Sequence, residues 1–243
     1  MEKNKDLIEN KVKETPFIDT HEHLIDESER LDFIEPIIPR DDWALLLNHY
    51  FSLDLISSGI SKEQIDRLFS NQINPIDKWQ ILKEFWPFFK NTASGLVFRS
   101  TIKILYDIDE ISEDNIIELQ SRYEQTRKKE FYKYIIQDIA NIKHCHINSP
   151  IITCKNAYWS WSINPLAAKD FLKKFTLTIL KNKIFTFGGD DKIVENLIGH
   201  ASVARKGIAQ ALTELVFQYK EKAKRAAELT ITNKELACQN NIK

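Results

Sequence analysis

Residues 16 to 25, "PFIDTHEHLI", pass from an apolar run into two histidines one residue apart, with carboxylates interleaved. Phe17 and Ile18 read as the end of a buried strand. Side chains alternate along a strand, so His21 and His23 share a face, where their ring nitrogens can bind one cation. Asp19 and Glu22 stand where they could orient the rings or bias their protonation. Taken alone, H-x-H leaves two readings open. It is either half of a metal site, which needs further ligands, or a pair of exposed histidines at a strand-to-loop turn.

The rest of the chain narrows the classes of function. With 34 basic residues against 35 acidic ones and a net charge of -1, no bulk field recruits nucleic acid or an anionic membrane. The expected partner is a small molecule chosen by a site. Cys145, Cys154 and Cys238 have no C-x-x-C spacing, which fits a reducing, cytoplasmic compartment better than a disulfide scaffold. The opening "MEKNKDLIENKVKE" is charged, and no segment approaches a membrane span, so neither export nor insertion is expected.

From about residue 41 to 138 helical signals dominate. Ser61 and Gln64 form a capping-box pattern in "SKEQIDRLF", and Asn74-Pro75 marks another helix start. Trp79, Leu82, Phe85, Trp86 and Phe89 recur at helical spacing and read as core. "ISEDNIIELQSRYEQTRKKEFYKYI" reads as an amphipathic helical stretch with a solvated basic face. Strand signals appear at "NIKHCHI", "IITCKNAYWSW" and "KIFTFGGD". A helix is expected from Ile193 to about Lys224, with Ile208, Ala211, Leu212, Leu215, Val216 and Tyr219 on one apolar face, before a fraying polar tail. Strands separated by helices predict an α/β fold. A strand ending at Gly188-Gly189-Asp190 puts a carboxylate at a carboxyl-terminal strand end, where active sites of such folds lie.

These pieces together resemble the amidohydrolase superfamily, in its amidohydrolase-related branch near the uronate isomerases. The residues that carry the resemblance are "FIDTHEHL", "NTASGLVFRSTIKILYDIDEIS", "NAYWSWSINPLAA" and "NKIFTFGGDDKIVENLIGHASVARKGIAQAL", in that order. The resemblance implies a (β/α)8 barrel with a divalent metal, commonly zinc, at the carboxyl ends of its strands. His21 and His23 would be the first-strand ligands. Asp190 would be the last-strand aspartate, which binds the metal and takes a proton from the attacking water. Gly188 and Gly189 would let the chain turn tightly there. His200 and Arg205, in "GHASVAR", would shape the pocket or serve helix packing.

The family pattern also expects ligands on central strands, and here "DIANIKHCHINSP" passes straight into the seventh-strand segment. An incomplete barrel is therefore expected, as one domain over residues 1–225 with a helical insertion at about 41–138 and a polar tail at 226–243. His144 and His146 share a strand face and could replace the missing ligands, or could be a histidine-rich strand end. His49 reads as a locally packed residue. Three functions stay open at this stage. They are a metal-dependent hydrolase acting on a small molecule, full or catalytically impaired in this short form, a non-catalytic remnant held together as a homo-oligomer or by a partner, and a sugar-acid isomerase.

Overall fold

The structure is a computed structural model and describes residues 2–24, 27–31, 42–147 and 187–240. Helix α1, Glu2–Glu14, leads into strand β1, Phe17–Glu22, and a short helix α2, Glu27–Leu31. A helical block follows. It comprises a 3-10 turn at Trp43–Leu47, then α3 (Phe51–Ser57), α4 (Lys62–Leu68), α5 (Lys78–Leu82), α6 (Trp86–Phe89), α7 (Ala93–Tyr106), α8 (Ile116–Gln125) and α9 (Phe131–Lys133). Helix α9 continues as a π-helical turn, Tyr134–Ile139, into strand β2, Ile142–Ile147. After residues outside the description, helix α10 runs Asn196–Asn240.

The architecture is mixed α/β. Among the described residues there are two strands, β1 and β2, and they are parallel, with Ile18 opposite His144 and Asp19 opposite Cys145. Two parallel strands need a crossover, and here the whole helical block serves as one. The expected "IITCKNAYWSW" strand lies outside the described residues, as do residues 183–186 of "KIFTFGGD". Residues 187–191 are not a strand, yet they lie along β1 in the same direction. Thr20 N–H donates to Phe187 C=O at 3.1 Å, Asp190 N–H to His21 C=O at 2.9 Å, and His23 N–H to Asp191 C=O at 2.9 Å. On its other edge, Phe17 N–H donates toward β2 through Asn141 C=O at 2.9 Å, so β1 is flanked on both edges.

Local chemistry explains the helix boundaries. Ser61 and Gln64 make a complete capping box at α4, and the Thr92 side chain accepts from Gly95 N–H at the start of α7. The turn at Asn74-Pro75 forms, but the helix proper begins later, at Lys78, because Asn74 C=O first accepts from Asp77 and Lys78 in a turn. The stretch read as one amphipathic helix is broken after Gln125, and Glu130 adopts the left-handed conformation, φ 68°. The Trp79, Leu82, Trp86 and Phe89 stripe is buried, as a core stripe should be.

Among the described residues, two apolar clusters result. The larger fills the helical block around Trp43, Leu46, Leu55, Leu82, Phe89, Phe98 and Tyr123. The smaller lies under the sheet, around Leu24, Ile135, Ile142, Phe187, Val194 and Leu197. Ile193 belongs to the first and Val194 to the second, so the entry to α10 wedges between them. Helix α10 then crosses α7 closely at Gly199, where a Cβ would stand 2.2 Å from the Val97 carbonyl oxygen.

Two expectations about α10 need correction. The helix does not give way to a fraying tail at Lys224. It continues to Asn240 because "KEKAKRAAELTITNKEL" contains neither Gly nor Pro and is rich in helix formers. The proposed apolar face is also covered only in part. Ala211 and Leu215 are buried, while Val216 and Tyr219 are exposed where the helix leaves the body. No helix among the described residues is long and apolar enough to cross a membrane.

Candidate metal centre

His21 lies near the carboxyl end of β1, and His23 follows just beyond it. Alternation places both rings on one side, and their Nε2 atoms stand 3.1 Å apart with ring planes at 88°. Asp190 arrives from the segment alongside. Its Oδ1 is 3.2 Å from His21 Nε2 and 3.1 Å from His23 Nε2. The structure thus brings together the two histidines and the aspartate singled out from the sequence.

Three features show that these donors suit a cation. First, Asp190 Oδ1 is buried and makes no hydrogen bond, although two imidazole nitrogens are within reach. A buried carboxylate oxygen without a partner is costly, and a bound ion removes that cost. Second, two imidazole lone pairs at 3.1 Å repel unless a proton or a metal lies between them. Third, donors on one face of a tetrahedral ion with bonds of about 2.0–2.1 Å are about 3.3 Å apart, and on an octahedral face about 3.0 Å. The observed edges lie between these values, so zinc and the octahedral divalent ions are both accommodated.

The backbone that presents Asp190 differs from expectation. Neither Gly188 nor Gly189 has a positive φ, so the tight turn is not theirs. Asp190 itself takes the left-handed conformation, φ 53°, a strained state for a non-glycine residue that recurs at functional positions. Gly189 is needed for another reason. A Cβ there would stand 2.1 Å from Glu22 Oε1, in space the buried carboxyl occupies.

Asp19 and Glu22 also act otherwise than on the imidazoles in the bonds they are seen to make. Asp19 Oδ1 accepts from His21 N–H at 3.1 Å, and Glu22 Oε2 accepts from Asp191 N–H at 2.7 Å. They brace the two backbone segments that carry the ligands. Both carboxyls are fully buried and adjoin one another. Burial, followed by the adjacent Asp19 charge, holds the Glu22 carboxyl well above the usual carboxylate range. Burial, reinforced by these two carboxylates, also pushes the Cys145 thiol up strongly.

The next turn locks the site onto α10. Asp191 Oδ1 accepts from Lys192 and Ile193 N–H, and Asp191 Oδ2 accepts from Asn196 Nδ2 at 3.1 Å. Asn196 Nδ2 also donates to Leu46 C=O at 3.1 Å. Glu195 forms a forked, buried ion pair with Arg30, at 2.6 and 2.8 Å, and Arg30 donates to Tyr123 Oη at 2.8 Å. These residues went unnoticed in the sequence because "DDKIVEN" looks like an ordinary polar helix start.

His49 is a further neighbour that its local sequence did not reveal. Its ring centroid is 6.2 Å from that of His23, its backbone φ is 61°, and its buried Nδ1 has no hydrogen-bond partner. Burial lowers its pKa and favours the neutral ring. His200 Nε2 stands 3.4 Å from Asp191 Oδ2, behind the ligand turn. Arg205 lies away from the cluster, with its guanidinium 3.9 Å above the Phe17 ring and bonds to Ala140 and Asn141 C=O. It is a packing residue of the sheet.

His144 and His146 do not complete the site. His144 is paired with exposed Ile18 and Cys145 with buried Asp19, and the donors that lie together are His21, His23 and Asp190, without His144 or His146. No family model matches the chain, and no curated protein or solved structure was found to match it.

Proposed function

We propose that the chain is a metal-dependent hydrolase of a small molecule, related to the amidohydrolases, with His21, His23 and Asp190 around one zinc or similar divalent ion. The observation that supports this is the convergence of two imidazole Nε2 atoms and one buried carboxylate oxygen that makes no hydrogen bond, all within 3.2 Å of one another. An ion there supplies Lewis acidity, which makes water acidic enough to be a nucleophile near neutral pH. His21 and His23 would hold it through Nε2. Asp190 has one oxygen, Oδ1, turned to the imidazoles, and Oδ2 is the atom that would take the proton from the attacking water. Asp19, Glu22 and Asp191 keep the ligand-bearing backbones in register.

The incomplete-barrel reading is part of this proposal. Three protein ligands leave the remaining coordination positions to water and substrate, as catalytic zinc sites do. The test is a panel of amides, esters, lactones and uronic acids, assayed with the metal-loaded chain and with Asp190→Asn. Metal-dependent hydrolysis that falls at least about a hundredfold in Asp190→Asn is the expected result. Interconversion of a uronic acid without hydrolysis would replace this reading with the isomerase. A panel unaffected by metal or by Asp190→Asn would leave the remnant reading.

A further inference from the structure

The second histidine pair was set aside above because it is not part of the cluster of three. Yet the two pairs are geometrically alike. The His144 and His146 rings have centroids 4.8 Å apart and planes at 81°, against 4.8 Å and 88° for His21 and His23. Residues i and i+2 of a strand project from the same face, so β2 presents both imidazoles in one direction. Both side chains are exposed, and neither ring has a hydrogen-bond or ion-pair partner among the described residues. A structural histidine usually spends its ring N–H on a carboxylate or carbonyl. Among the described residues, nothing occupies their ring nitrogens.

We propose that His144 and His146 form a second metal-binding site, a two-imidazole chelate for a borderline divalent ion such as Ni2+, Cu2+ or Zn2+. These are the ions that favour imidazole nitrogen over oxygen. The chelate is held by one rigid strand, so binding does not have to fix two separate segments. It contains no carboxylate, so its affinity is lower than that of the His21, His23 and Asp190 centre, and water fills its other positions. It shares no residue with that centre and does not depend on the hydrolase reading.

Equilibrium dialysis of the untagged full chain against Ni2+, with quantification of bound metal, tests this. The wild-type chain is expected to bind two ions with distinct affinities. His144→Ala/His146→Ala should lose the weaker one, with at least a tenfold fall in its affinity, and keep the tighter. His21→Ala/His23→Ala should do the reverse. Single variants His144→Gln and His146→Gln, at exposed positions that leave the core untouched, should each weaken the same ion. A second ion that binds equally well to the His144→Ala/His146→Ala chain would overturn the proposal. So would a wild-type chain that binds one ion only, lost with His21 and His23.

Discussion

At the scale of single residues, His21 and His23 were legible because strand alternation by itself puts them on one face. Asp190 was not legible that way. It reaches His21 and His23 from 169 and 167 positions down the chain, and it was singled out by its place after a glycine pair at a strand end and by the resemblance. The roles of the neighbouring glycines could not be read, because a glycine in a sequence does not say whether it is wanted for its φ or for its missing side chain. At Gly189 the space is what matters. A Cβ would stand 2.1 Å from Glu22 Oε1, and Glu22 cannot swing aside, being fully buried and held by Asp191 N–H at 2.7 Å. Gly189→Ala should therefore destabilise the chain by about 1–3 kcal/mol, the usual cost of forcing a group into filled space. Urea unfolding of the two chains measures it. A midpoint and slope unchanged from wild type would mean that the carboxyl has somewhere else to go.

At the scale of elements, the helical block was readable wherever a cap or an apolar stripe announced it, as at Ser61 and along Trp79 to Phe89. The sequence reading ended α10 too early, because it weighed polarity above propensity. Beyond Gly207 the helix contains neither Gly nor Pro and is rich in helix formers, and the 45 residues of α10 span about 68 Å. What fastens its start was hidden in charges that looked solvated. Arg30 of α2 meets Glu195 at the entry to α10 and Tyr123 of α8, all buried, so one ion pair ties three elements together. Removing one partner of a buried pair leaves the other uncompensated, at a cost of about 3–5 kcal/mol, whereas replacing both with apolar residues is often close to neutral. Arg30→Leu should accordingly lose stability in that range, and Arg30→Leu/Glu195→Leu should recover most of it. A double variant no more stable than the single one would show that Glu195 is satisfied without Arg30.

At the scale of the whole molecule, the α/β class followed from the alternation of strand and helix signals, and the described residues bear it out with two parallel strands and a helical crossover. The barrel is a finer statement that rests on the resemblance. The whole-chain consequence of the site does not depend on it. His21 and His23 lie on and just beyond β1, while Asp190 lies on the segment that leads into α10, so an ion held by all three closes a loop of most of the chain. The unfolded chain has no such preformed cluster, and an ion that binds only the folded form stabilises it by mass action. At a free concentration about a hundred times its dissociation constant the gain is about 2.7 kcal/mol. For a domain of this size each kcal/mol moves the melting temperature by about 2–4 °C, so saturating zinc should raise it by about 5–11 °C. The His21→Ala/His23→Ala chain should lose that increment while retaining any small one from ions bound elsewhere, and a chelator should return the wild-type chain to its metal-free value. Equal zinc-induced shifts in the wild-type and doubly substituted chains would place the stabilising ion away from this cluster and remove the basis for assigning it chemistry.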